Sequence, residues 1–296
     1  VSECARVQAT VTPIVPTVVL LLDRSGSMSL SFDASRTRWE SLREALVAPT
    51  SGVVPQLAQA IRFGASLFTT AGTTCPSLIT VPPALDNTQA ISSVLTNNGP
   101  GDFTPTAAAV AAAAAGFPAT AADEPRVLVL ATDGEPTGCG TGSIGDEQRA
   151  AVLAAVRSAH DVQRVTTYVL SVGTELADLH LQQVANVGSG RPATAPLGGA
   201  NAPFYRATSP DALVAAFRTI ARRARSCTFT LDREVTPSMA AGGDVRINGT
   251  EVPVNDADGW RLDDPRHVTF QGTTCELLRD LPSAAVVASF PCPGVD

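Results

Sequence analysis

The chain changes texture twice. Residues 7–12 (VQATVT) alternate apolar and polar positions, the pattern of a strand with one wet face. From residue 17 the alternation gives way to continuous apolar runs: TVVLLLD at 17–23, RVLVLATDG at 126–134 and TYVLSVG at 167–173. Such runs suit strands covered on both faces by helices. Helical patterns lie between and after them. Trp39, Leu42 and Leu46 are spaced for one helix face, DEQRAAVLAAVRSAH at 146–160 follows the second strand, and SPDALVAAFRTIARRA at 209–224 opens with Ser209 as N-cap and Pro210 at the first helical position. Strand alternating with helix predicts an α/β fold: a Rossmann-like, mostly parallel sheet flanked by helices, with right-handed crossovers.

After Arg225 short alternating runs return: CTFTLD, DVRINGTEVPV, HVTFQG and AVVASF, with Asn248-Gly249 a hairpin signal between two of them. These predict a small all-β unit in a size range where disulfides commonly supplement the core. Residues 1–14 carry Cys4 and the same alternating texture, so the N-terminal strand is expected to pack with that unit. The expected division is 1–14 with 226–296 as a small β-rich domain, and 15–225 as the α/β domain.

Charge narrows the function. With 21 basic against 28 acidic residues, the net charge of -7 excludes the broad basic footprint of a nucleic-acid binder. The one basic run, RTIARRARS at 218–226, reads as the cationic last turn of a helix. Every basic residue is Arg, which removes Schiff-base chemistry and the lysine of a P-loop. No apolar run reaches the ~20 residues of a membrane span. Lacking a signal-peptide pattern, the chain is expected to start as a processed or trimmed form. Six dispersed cysteines without a CxxC pair predict three disulfides and an oxidising compartment. The three histidines are expected on solvated faces.

In open α/β sheets ligands bind at the carboxyl ends of the strands, where Asp23 and Asp133 fall. Asp23, Ser25 and Ser27 leave the first strand on alternate positions. Thr104, in GPGDFTPT, and Asp133, in ATDGEPT, add a hydroxyl and a second carboxylate. All are hard oxygen donors, suited to magnesium or manganese and poorly suited to zinc or copper. Two carboxylates only just balance a divalent ion, which leaves it able to accept one more anionic oxygen, such as a partner's Asp or Glu. Ser29 reads as a turn hydroxyl, and NDADGW at 255–260 as a plain turn.

With DRSGSMS, FTPTAAAV and LATDGEPT in this order, residues 15–225 resemble the von Willebrand factor type A (VWA) domain with its metal-ion-dependent adhesion site (MIDAS). The resemblance implies Asp23, Ser25, Ser27, Thr104 and Asp133 as ligands of Mg2+ (or Mn2+/Ca2+), with Thr106 the alternative to Thr104 and Asp102 a possible added carboxylate. It implies a non-enzymatic adhesion module that is secreted or on the cell surface and binds a protein partner through an acidic residue. The alternatives are a structural component of a surface or secretion assembly with a stabilising metal and, ranked last, a metal-dependent hydrolase. The C-terminal unit resembles, more loosely, that of exported bacterial VWA proteins. Cys75, after the strand IRFGASLFTT, and Cys139, after the Thr-Asp-Gly turn, are expected in loops above the sheet and bonded to each other. The expected remaining pairs are Cys275–Cys292 and Cys4–Cys227.

Overall fold

Strand β1 (Arg6–Pro13) alternates in exposure as its sequence does, whereas the apolar run that follows becomes β2 (Thr17–Asp23), buried at every position. This computed structural model describes residues 6–119, 124–139, 142–195, 199–281 and 284–292. Its contacts separate two units, Pro16–Ala224 and a second one built from the two ends of the chain.

In the first unit β2 is followed by a 3-10 turn at Gly26–Ser29, α1 (Arg38–Val47), α2 (Val53–Leu57), β3 (Arg62–Ala71), β4 (Thr74–Ala84), α3 (Thr88–Asn97) and α4 (Thr106–Ala115). Then come β5 (Arg126–Thr132), α5 (Asp146–Asp161), β6 (Val165–Val172), α6 (Asp178–Gly188), β7 (Tyr205–Ala207) and α7 (Pro210–Ala224). The six strands form one sheet in the order β4-β3-β2-β5-β6-β7. Every neighbouring pair is parallel except β3 and β4, which are antiparallel.

The apolar runs cover both faces because side chains alternate across a strand. Val18, Leu20 and Leu22 of β2, with Val127, Val129 and Ala131 of β5, join one core with Trp39, Leu42 and Leu46 of α1 and Leu213, Phe217 and Ile220 of α7. Val19, Leu21, Leu128 and Leu130 join a second core with Ala109 and Val110 of α4, Val152 and Val156 of α5, and Leu181 and Val184 of α6. Burying one such side chain contributes roughly 1.5–3 kcal/mol. The ends of α1 and α7 follow from their caps. Thr37 and Glu40 form a reciprocal capping box, and Ser209 Oγ accepts from Ala212 N at 3.2 Å.

Strand β4 is half exposed and contains Pro76, Pro82 and Pro83, a combination confined to sheet edges. Cys75 therefore lies in a strand rather than in a loop. Its bond to Cys139 is present, with the two Cα atoms 5.6 Å apart.

The second unit continues with β8 (Thr228–Leu231), α8 (Pro237–Ala241), β9 (Asp244–Ile247), β10 (Thr250–Val252), β11 (Trp260–Asp264), β12 (His267–Phe270), α9 (Gly272–Asp280) and β13 (Val286–Pro291). With β1 these strands form an antiparallel sheet in the order β10-β9-β13-β1-β8-β12-β11. Asn248 and Gly249 both take positive φ, 50° and 85°, as a two-residue hairpin turn of the primed type requires. The core carries Trp260 against Phe290 and Phe229 against Phe270, at ring separations of 6.1 and 5.3 Å. Trp260 Nε1 donates to the Val252 carbonyl at 3.1 Å, so the buried indole is satisfied.

The unit is not all-β, because α8 and α9 pack Met239, Ala240 and Leu278 into its core. Cys227 bonds Cys275, which ties β8 to α9 and overturns both Cys275–Cys292 and Cys4–Cys227. Cys292 is itself disulfide-bonded, and Cys4 lies outside the described residues.

Candidate functional site

The chain leaves β2 at Asp23, which is fully buried. Asp23 Oδ1 accepts from the Ser25 amide at 2.7 Å, closing a tight turn, and Oδ2 accepts from the Thr132 hydroxyl at 2.6 Å. The turn continues into Gly26–Ser29. Ser29 Oγ donates to the Gly26 carbonyl at 2.7 Å, so this hydroxyl serves the turn. The hydroxyls of Ser25 and Ser27 lie 3.1 Å apart, and Ser27 Oγ donates to Asp133 Oδ1 at 2.7 Å. Asp133, fully buried at the end of β5, thus closes a polar chain running Asp23, Ser25, Ser27, Asp133 across two adjacent strands.

A second loop seats Thr104 beside this chain. Gly26 N donates to the Asp102 carbonyl at 2.9 Å, and the Thr69 hydroxyl at the end of β3 donates to the Phe103 carbonyl at 3.0 Å. Gly101 has to be glycine at this crossing, since a Cβ there would lie 2.9 Å from Thr69 Cγ2. Thr104 is buried and tied to the loop after Asp133 by a reciprocal pair: its amide donates to Thr137 Oγ1 at 3.0 Å and its carbonyl accepts from Thr137 N at 2.8 Å. The Thr106 hydroxyl turns back onto the Thr104 carbonyl at 3.3 Å. Asp102 is exposed and contributes its carbonyl to the loop.

Three further residues take part, Thr132 from within the Thr-Asp-Gly turn and Arg38 and Glu175 from outside the motifs. Thr132 donates to Asp23. Arg38, the first residue of α1 and 6% exposed, sends Nη1 to Asp133 Oδ2 at 2.7 Å and Nη2 to Glu175 Oε1, which follows β6. The capping box Thr37-x-x-Glu40 marks Arg38 as a first-turn residue, and a cation at the positive end of a helix is the signal that could have found it.

Electrostatically the two carboxylates differ. Burial, and then the charge of Asp133, push the Asp23 carboxyl up to about 7, against the lowering effect of its hydrogen bonds to Thr132 and Ser25. Asp133 instead faces the Arg38 guanidinium. Among the described residues no group of three or more His, Cys, Asp or Glu side chains could hold a metal, so a cation at this point would depend on hydroxyl and carboxylate oxygens together. That set fits Mg2+ or Mn2+: two buried carboxylates and neutral hydroxyls at one point, with Asp23 already short of a positive neighbour.

His180 departs from expectation. It is buried on α6 beneath the Thr132–Gly134 turn, in a small pocket with Leu130, Val152 and Leu181, and burial holds its pKa below the usual range. His160 and His267 bond Asp161 and Asp264 at the surface.

No helix among the described residues is long and apolar enough to cross a membrane. Comparison with curated proteins gives no match. Solved structures do resemble the chain. A pilus adhesin, SpaC from Lactobacillus rhamnosus GG, matches with a TM-score of 0.55 at 16% identity over 96% of this chain, which spans 40% of the adhesin. The PilB minor pilin of Streptococcus sanguinis gives 0.53 at 16% identity, over 70% of this chain and 60% of the pilin. Manganese-loaded TRAP protein of Plasmodium vivax gives 0.50 at 16% identity, over 89% of this chain and 96% of that one. These likenesses are of fold. Residues 17–215, well over half of the chain, match the model of the von Willebrand factor type A domain, and the chain belongs to that family.

Proposed function

We propose that this VWA domain is a metal-dependent adhesion module, exported or at the cell surface, that grips an acidic side chain of a protein partner without turnover. The observation that carries the reading is the convergence of Asp23, Ser25, Ser27 and Asp133 at the carboxyl ends of two adjacent strands. Asp23, Ser25, Ser27 and Thr104 would hold Mg2+ or Mn2+, with Asp133 behind them. Thr104 is preferred to Thr106, whose hydroxyl is directed at a carbonyl. A bound divalent ion supplies an electrophilic point for a partner's carboxylate oxygen.

The residues of the chain provide the rest. Ser25 and Ser27 would hold the cation as neutral oxygen ligands, which would leave positive charge for the partner's carboxylate. Asp23 would hold the ion as a carboxylate, with Thr132 and the Ser25 amide fixing its oxygens. Adhesion is supported by the family and by fold neighbours that include a pilus adhesin and a manganese-loaded protein. An exported location is in keeping with the two disulfides Cys75–Cys139 and Cys227–Cys275.

The test is titration calorimetry with Mg2+ and Mn2+ on wild type and Asp23→Ala. Loss of binding in the variant, with its unfolding transition retained, is expected. Unchanged metal affinity in Asp23→Ala would sink the assignment.

A further inference from the structure

The Arg38 side chain is placed where its helix disfavours it. As the first residue of α1 it lies at the positive end of the macrodipole. It is nearly fully buried, and its Nε has no partner among the described residues. Two carboxylates compensate: Asp133 Oδ2 at 2.7 Å and Glu175 Oε1. The backbone makes room for this arrangement. Gly173 adopts φ +110°, and a Cβ there would lie 2.6 Å from Glu175 Oε2 and 3.5 Å from the Arg38 guanidinium carbon. Asp133 consequently has both oxygens engaged, Oδ1 by Ser27 and Oδ2 by Arg38.

We propose that Arg38, shared with Glu175, is a built-in counter-cation of Asp133 that sets the divalent-ion affinity of the site. It is a positioning residue. In the metal-free protein the guanidinium balances one of the two buried carboxylates. A divalent ion entering beside Ser27 meets that fixed positive charge, so Arg38 opposes binding and stabilises the free protein. Glu175 moderates the effect by taking part of the guanidinium's field. The inference rests on the metal-site reading, and the two fail differently.

The experiment measures Mn2+ affinity by calorimetry for wild type, Arg38→Gln, Arg38→Lys and Glu175→Gln, and melting temperature in chelator. Arg38→Gln is expected to tighten Mn2+ binding by about tenfold, because a positive charge close to the cation is removed. Glu175→Gln, at a half-exposed side chain that tolerates change, is expected to weaken it severalfold, since the charge of Arg38 is then less compensated. Arg38→Lys keeps the charge and should bind nearly as wild type does. A purely structural Arg38 makes both neutral variants bind more weakly. That result, or unchanged affinity in both, overturns the proposal.

If the wild-type protein takes up no Mn2+, the metal-site reading falls. The counter-charge is then decided in chelator alone: Arg38→Gln should lower the melting temperature much less in an Asp133→Asn background than in wild type, and additive losses would overturn it.

Discussion

Two adjacent strands end in buried carboxylates, and the protein treats them differently. Asp23 at the end of β2 has only neutral donors, Thr132 and the Ser25 amide, and its carboxyl is pushed up to about 7. Asp133 at the end of β5 has a guanidinium. Burying a charge is costly unless it is neutralised. One strand end meets this cost with a proton, the other with an arginine. Of the two buried acids on adjacent strands, only one therefore needs a permanent cation beside it.

The most disruptive way to break this comparison is to remove the permanently paired acid. Asp133→Ala leaves Arg38 buried with Glu175 as its remaining anion, and such half-broken pairs lose about 3–5 kcal/mol. Denaturant unfolding in chelator should show this loss. The same measurement on Asp23→Asn should show a change within about 1 kcal/mol near pH 4, where the carboxyl is protonated in the folded state and substantially so in the unfolded one, and an amide has a similar shape without charge.

The second prediction uses pH. The Asp23 carboxyl titrates at about 7 when folded, against an ordinary 3.8, so the folded state holds more protons between these values. Stability from this group is fully present below pH 4 and is lost as pH rises through 7, on the order of a few kcal/mol in the metal-free protein. Unfolding free energies between pH 4.5 and 7.5 in chelator should therefore fall with pH in wild type, and this slope should flatten in Asp23→Asn. An equal slope in both proteins would place the effect elsewhere.

How much of this was legible depends on the kind of signal. The continuous apolar runs of β2 and β5 predicted covered strands, and Leu20 and Leu21 enter cores on opposite faces of the sheet. β4 escaped because three prolines in TCPSLITVPPA mask a strand that only an edge tolerates. Asp23, Ser25, Ser27 and Asp133 could be placed at strand ends from local spacing, and hydrogen bonds do join them. Arg38 and Glu175 could not, since their meeting joins the start of α1 to the turn after β6, across a separation of 137 residues. Disulfide pairing was of the same long-range kind. Cys227 meets Cys275 because β12 lies beside β8 and delivers α9 to it, an arrangement no spacing encodes.

The smallest effect sharpens the comparison most finely. Thr132 is the last residue of β5, and its hydroxyl donates to Asp23 Oδ2 at 2.6 Å, so the strand that carries the arginine-paired acid also steadies the proton-bearing one. That hydrogen bond favours the charged carboxylate and lowers the Asp23 pKa. Thr132→Val keeps the branched shape and removes the donor, at a cost of about 1 kcal/mol at neutral pH. Because the lost bond favoured the ionised form, the pH at which the metal-free protein loses stability should move upward, and at pH 5 the variant should lie closer to wild type than at pH 7.5. A loss independent of pH would mean that Thr132 matters for packing alone. In that case Asp23 would be held by the Ser25 turn without help from the neighbouring strand.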